Sequence, residues 1–199
     1  RPGTEMFPGR GTLLKYGAGG FPLAALGLPL YVYLPTFYAE ELGLGLATTG
    51  LILLMVRLFD LISDPLIGFV SDHRQWFGSR RRIYMLLGMP LLLLAVDRLF
   101  SPAAPVGGGY LLGWSLLAFI GWTLIAIPYT AWGAEISTDS HQRSRLSAYR
   151  EGFIILGTLA ALSLPLLGGA GADSGQTLQM LATLITITLP LALLLTLFV

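Results

Sequence analysis

Cysteine is absent from the chain, which excludes a disulfide framework and any thiolate metal site. Histidine occurs only at His73 and His141, both in polar turns between apolar stretches, where they read as surface residues. Charge is scarce as well: 12% of the 199 residues are Asp, Glu, Lys or Arg. Soluble domains carry about 25%. What is there instead is apolar, with 54% hydrophobic residues and a mean hydropathy of +0.72. These values describe a polytopic membrane protein. The net charge of +1 is uninformative, because the placement of the basic residues carries the message.

Six stretches are long enough to cross about 30 Å of hydrocarbon. They run over 13–38, 46–70, 83–100, 110–134, 146–167 and 178–199. Residues 1–12 form a short N-terminal segment and 13–199 a six-span unit. Lys and Arg in the short connections set the expected orientation. Arg1, Arg10 and Lys15 lie near the start, Arg74, Arg80, Arg81 and Arg82 between spans two and three, and Arg143 and Arg145 between spans four and five. The opposite side has only Arg98, so the N-terminus and the basic loops are expected to be cytoplasmic, in a cell (inner or plasma) membrane. The same rule explains the Arg80–Arg82 run without a nucleic-acid partner. Arg1 is not a Met, Met6 is one candidate start, and 191–199 are still apolar, so the chain reads as part of a longer one.

Span two is the informative one. At about 100° per residue, Arg57, Asp60 and Asp64 share a narrow arc with Gly50, Gly68 and Ser71. Leu51, Met55, Leu58, Ile62, Leu66 and Phe69 form the opposite, lipid-like stripe. A central Arg or Asp costs about 2.5–3.5 kcal/mol on insertion, whereas each large apolar residue returns only about 0.3–0.6. Such a helix needs neighbours. Arg57 and Asp60 can partly neutralise each other at i,i+3, which leaves Asp64 as excess negative charge in a bundle interior, a place for a transported cation.

The remaining polar positions are fewer. Asp72 at the end of span two, opposite Arg80 and Arg81, forms an expected cytoplasmic latch, with Glu135 at the end of span four. Arg150 and Glu151 sit about one turn inside span five, where Arg150 either snorkels or points into a cavity. Span six has no ionisable residue and is expected to be peripheral scaffold.

Taken together, Arg57-Leu-Phe-Asp60-x-x-Ser63-Asp64-Pro65, Gly68-x-x-x-Asp72 with its Arg cluster, Ile127-Pro128-Tyr129 and Ala148-Tyr149-Arg150-Glu151 resemble the glycoside–pentoside–hexuronide:cation symporters, the melibiose-permease branch of the major facilitator superfamily. The resemblance implies an all-α membrane fold, one six-helix half of a twelve-helix transporter built from two inverted three-helix repeats. It implies cation-coupled symport of a sugar-like or other organic solute by alternating access, no enzymatic activity, and no cofactor beyond a coupling Na⁺ or H⁺. By position it assigns Asp60, Asp64, Ser63 and Thr123 to the cation and Arg150 to the solute; Tyr129, Thr130 and Trp132 on span four are further candidate solute residues. The partners it implies are the bilayer, the solute and a C-terminal half. Two positions depart from the pattern: the family's helix-one and helix-four acids fall at Gly20 and Ala126, which removes the hydroxyl acceptors a galactoside needs. A lysophospholipid or other lipid transporter of the same superfamily is one alternative. The other is an intramembrane Mg²⁺-dependent prenyltransferase-type enzyme.

Overall fold

A computed structural model describes residues 9–73, 80–103, 105–136, 139–167 and 173–199, with the side chains of Val70, Ser71, Asp72, His73, Arg80 and Leu167 outside the description. Six long helices account for it: α1 (Arg10–Glu41), α2 (Leu46–His73), α3 (Arg80–Phe100), α4 (Gly108–Glu135), α5 (Ser140–Leu167) and α6 (Ser174–Leu197). No strand occurs among the described residues. Five of the six are long and apolar enough on their own to cross a membrane. The exception is α5, whose 28 residues open with a polar stretch that runs through Arg150 and Glu151, so apolar length alone does not carry it.

The packing has the symmetry of two three-helix units. α1 lies against α5 and α2 against α4; α3 lies against α4 and α1 against α6; α3 also meets α6. Exchanging the first three helices with the last three maps each of these pairings onto another or onto itself, the pattern expected of inverted repeats. Chain direction alternates accordingly. At one end, Thr196 Oγ1 donates to Lys15 O at 3.1 Å and Arg81 meets Glu135 at 2.8 Å. At the other, Tyr38 Oη donates to Leu99 O at 3.0 Å.

Lipid offers no hydrophobic drive to join helices, so association depends on close van der Waals packing over small residues. α1 and α5 meet at such a place: a Cβ on Gly20 would lie 3.0 Å from Arg150 O, and one on Gly157 would run into Phe21 O. On α2, by contrast, Leu51, Met55, Leu58, Ile62, Leu66 and Phe69 are all exposed, as the lipid-like stripe requires. α6 is less peripheral than its lack of charge implied. It is packed along both α1 and α3, and its N-terminus is capped from α1, where the Glu41 carboxylate accepts from Ser174 N at 2.8 Å and Gly175 N at 3.2 Å.

α1 is not a uniform α-helix. Pro29 and Pro35 have no N–H to donate, and the ladder widens into π-helical turns at Pro29–Tyr33 and Phe37–Glu41. There Leu34 N reaches Pro29 O and Leu42 N reaches Phe37 O, each five residues back. The first wide turn sets the direction of Tyr31.

Candidate cation site and solute cavity

Halfway along α2, Arg57 Nη1 meets Asp60 Oδ2 at 3.2 Å. The guanidinium lies against two neighbouring rings, 4.3 Å from the centroid of Tyr31 on α1 and 4.3 Å from that of Phe119 on α4, the two centroids being 6.5 Å apart. Each such contact is worth about 0.5–2 kcal/mol depending on desolvation. One turn further, Asp64 Oδ1 accepts from Thr123 Oγ1 of α4 at 2.8 Å. Asp60 and Asp64 are close enough for their carboxyl groups to interact. Asp60 Oδ1 is buried with no partner, and among the described residues no ion pair involves Asp64. Two carboxylates thus face one guanidinium, leaving a negative excess lined by oxygen donors. Ser63 is buried, but its hydroxyl proton goes to Asp60 O at 3.3 Å, which leaves only its lone pairs for any ligand.

Beside this cluster a cavity of about 430 Å³ opens between α1, α4 and α5. Gly20, Gly27, Tyr31, Trp122, Tyr129, Thr130 and Arg150 are part of its wall. Of the four expected solute residues, three line it. Thr130 is exposed there, its Oγ1 donating to Ala126 O at 2.8 Å. Tyr129 offers only its ring, because its hydroxyl donates to Tyr16 O at 2.7 Å and the two rings stack at 4.8 Å. Arg150 Nη2 donates to Glu151 Oε1 at 2.8 Å, while its Nε is buried without a partner. Trp132 is elsewhere: it lies under Arg82, 5.0 Å from its guanidinium carbon, and is not part of the cavity wall. It sits about one turn beyond Tyr129, which carries it past the cavity toward the end of α4.

Of the expected charge network, Arg81 and Glu135 pair at 2.8 Å, and Glu151 pairs with Arg150. The side chains of Asp72 and Arg80 lie outside the described residues. By sequence Tyr31 suits either the outer interface or a wet cavity wall, and it lines the cavity. Two contributors were not anticipated from the sequence: Phe119 and Trp122. Each is an aromatic in an apolar helix, and nothing local distinguishes it from lipid-facing or core residues. The missing helix-one acid has a steric counterpart. At Gly20, the backbone and Cγ of Arg150 and Cγ1 of Ile154 occupy the space a side chain would need.

Comparison with known proteins fits this geometry. The family described as MFS/sugar transport protein matches residues 15–199. An uncharacterized symporter of Synechocystis sp. is 32% identical over 169 residues, covering 80% of this chain and 31% of that protein. A putative sulfoquinovose importer of Salmonella typhimurium is 28% identical, covering 72% of this chain and 32% of its own length. The sodium-dependent lysophosphatidylcholine symporter 1 of mouse is 29% identical, covering 73% and 29%. The chain therefore spans about a third of the length of the curated relatives it matches. The family and these relatives are transporters, which sets aside the prenyltransferase reading. With apolar spans, a charged cluster on α2 and a family match over nearly all its residues, this multi-pass membrane protein belongs to the MFS/sugar transport protein family, in the glycoside–pentoside–hexuronide:cation symporter group of the major facilitator superfamily.

Proposed function

We propose that the chain is the cation-binding, N-terminal half of a secondary active symporter, in which Na⁺ or H⁺ at Asp60 and Asp64 drives movement of an organic solute held in the cavity beside Arg150. The observation that carries this reading is the charge count: Asp64 has a hydroxyl partner in Thr123 but no basic one among the described residues, while Arg57 is engaged by Asp60. An uncompensated carboxylate at membrane depth is costly, and a small cation that comes and goes relieves the cost only while bound. Each state of occupancy then favours a different arrangement of the two halves. The basic loops at 74–82 and 143–145 face the cytoplasm in this reading, and a second set of spans completes the cavity.

The test is uptake by the full-length protein in proteoliposomes under an imposed inward sodium gradient and, separately, an inward proton gradient. Accumulation driven by one of them is the expected result. Equal uptake with no gradient would overturn the reading. A dependent prediction concerns Thr123: Thr123→Val removes a neutral donor to a carboxylate, a bond worth about 1.5–3 kcal/mol, and should shift the half-saturating cation concentration by about tenfold or more, downward if the cation is H⁺, because the charged carboxylate loses its donor, and upward if it is Na⁺, which loses the hydroxyl oxygen as a ligand. Thr123→Ser should restore it. Cation titration of uptake checks both.

The cavity also favours a second solute class. Leu23, Ala24, Trp122 and Ile154 make much of its wall apolar, and Gly20 and Ala126 supply no carboxylate. An amphiphile with an anionic group near Arg150, such as a lysophospholipid, fits this as well as a sulfonated sugar does. Parallel uptake of sulfoquinovose and lysophosphatidylcholine separates the two.

A further inference from the structure

Among the described residues, Tyr31 is the side chain that belongs to both places described above. One face of its ring lies 4.3 Å from the Arg57 guanidinium, which holds Asp60 at 3.2 Å, and the same side chain forms part of the cavity wall with Arg150 and Thr130. Phe119 also lies 4.3 Å from the guanidinium, beside Tyr31 with ring centroids 6.5 Å apart, but is buried and outside the wall, so it supports without touching solute. Tyr31 itself is 54% exposed. It is carried on the π-helical turn Pro29–Tyr33, a wide turn of the kind that recurs at functional sites.

We propose that Tyr31 is a positioning residue that ties the state of the cation site to the shape of the solute cavity. The inference rests on the reading of Asp60 and Asp64 as the cation site. A cation entering between the two carboxylates competes with Arg57 for Asp60. The guanidinium loses that partner but keeps its two rings, which hold a positive charge away from lipid. Any shift of Arg57 is therefore handed to Tyr31, and through it to the cavity wall. By reciprocity of linked binding, a solute pressing on Tyr31 alters how firmly Arg57 occupies Asp60. An aromatic ring is needed; the phenol hydroxyl is not.

The absence of cysteine from this chain makes a solute-free test direct. Ala24 lines the cavity, so Ala24→Cys in the full-length protein, on a cysteine-free background, reports cavity access through its rate of modification by N-ethylmaleimide. The rate is followed against sodium at constant ionic strength, and against pH without sodium, in the Ala24→Cys parent and with Tyr31→Phe, Tyr31→Leu or Tyr31→Gln added. Binding of radiolabelled sodium, or proton uptake, is measured on the same preparations. The parent and Tyr31→Phe are expected to respond to the coupling cation by about fivefold or more, the lower end of ordinary coupling between sites. Tyr31→Leu and Tyr31→Gln are expected to bind the cation while their modification rate no longer follows it. If either of these two responds as the parent does, the link through Tyr31 is wrong and the cation site stands. If the parent binds neither cation, the symport reading and this inference fall together.

Discussion

Asp64→Asn is expected to abolish cation-stimulated uptake while leaving membrane insertion and expression intact. The substitution keeps the shape of the side chain and its ability to accept from Thr123, so the packing of α2 on α4 survives. What it removes is the negative charge that no described basic group offsets. With Asp60 already paired to Arg57, the cluster becomes neutral and has no reason to attract a cation. Coupling between two ligands ordinarily amounts to about 5–150-fold in affinity, and this variant should lose all of it. The measurement is initial uptake rate against cation concentration, with surface expression as control. A variant still stimulated to the parent level would remove Asp64 from the coupling mechanism. Solute binding without the cation should persist, since Arg150 and Thr130 are on other helices.

A second large effect is expected at the crossing of α1 and α5. Gly157→Ala would drive a Cβ into the Phe21 carbonyl, a backbone atom that yields only if the helices separate. Overpacking of this kind costs about 1–3 kcal/mol. The detergent-solubilised protein should melt several degrees lower, and the cavity, whose wall includes Gly20 and Ile154 on these two helices, should change shape. Gly152→Ala is the internal control: it is on the same helix, but its Cβ would meet nothing within 4 Å. It should leave the melting temperature unchanged or raise it slightly, because alanine restricts the unfolded chain. Equal destabilisation by both would mean that α5 is sensitive to helix composition rather than to contact with α1.

The two experiments probe features of unequal visibility in the sequence. Arg57, Asp60 and Asp64 were legible because charges inside an apolar run are costly, and their spacing puts them on one helical face. All six helices were legible by length, α5 included, although its early charges dilute its apolar run. Tyr31 was half legible: its residue type suits the outer interface or a wet cavity wall, and the choice depends on a wide turn that two prolines permit but do not dictate. Phe119 and Trp122 were silent for a different reason: in a membrane helix an aromatic residue carries no mark of which neighbour it will meet. Trp132, a candidate for the solute by sequence, lies under Arg82 and outside the cavity wall, a placement that its neighbours in sequence do not mark. Gly20 was read as a lost acid, whereas the close approach of α5 is what occupies that position.

The Glu41 cap on α6 has a mechanical corollary. A carboxylate gripping two amides of a neighbouring helix, backed by Asp173 accepting from Gln176 N at 2.7 Å, fastens one rim of the bundle. At the far rim the Thr196 hydroxyl shares its proton between Ala192 O at 2.8 Å and Lys15 O at 3.1 Å, and with α6 packed along α1 between the two rims the pair should swing as a single strut. In the proposed cycle, opening and closing would then carry α2 together with its main support α4 against that strut, with α5 held to it along α1.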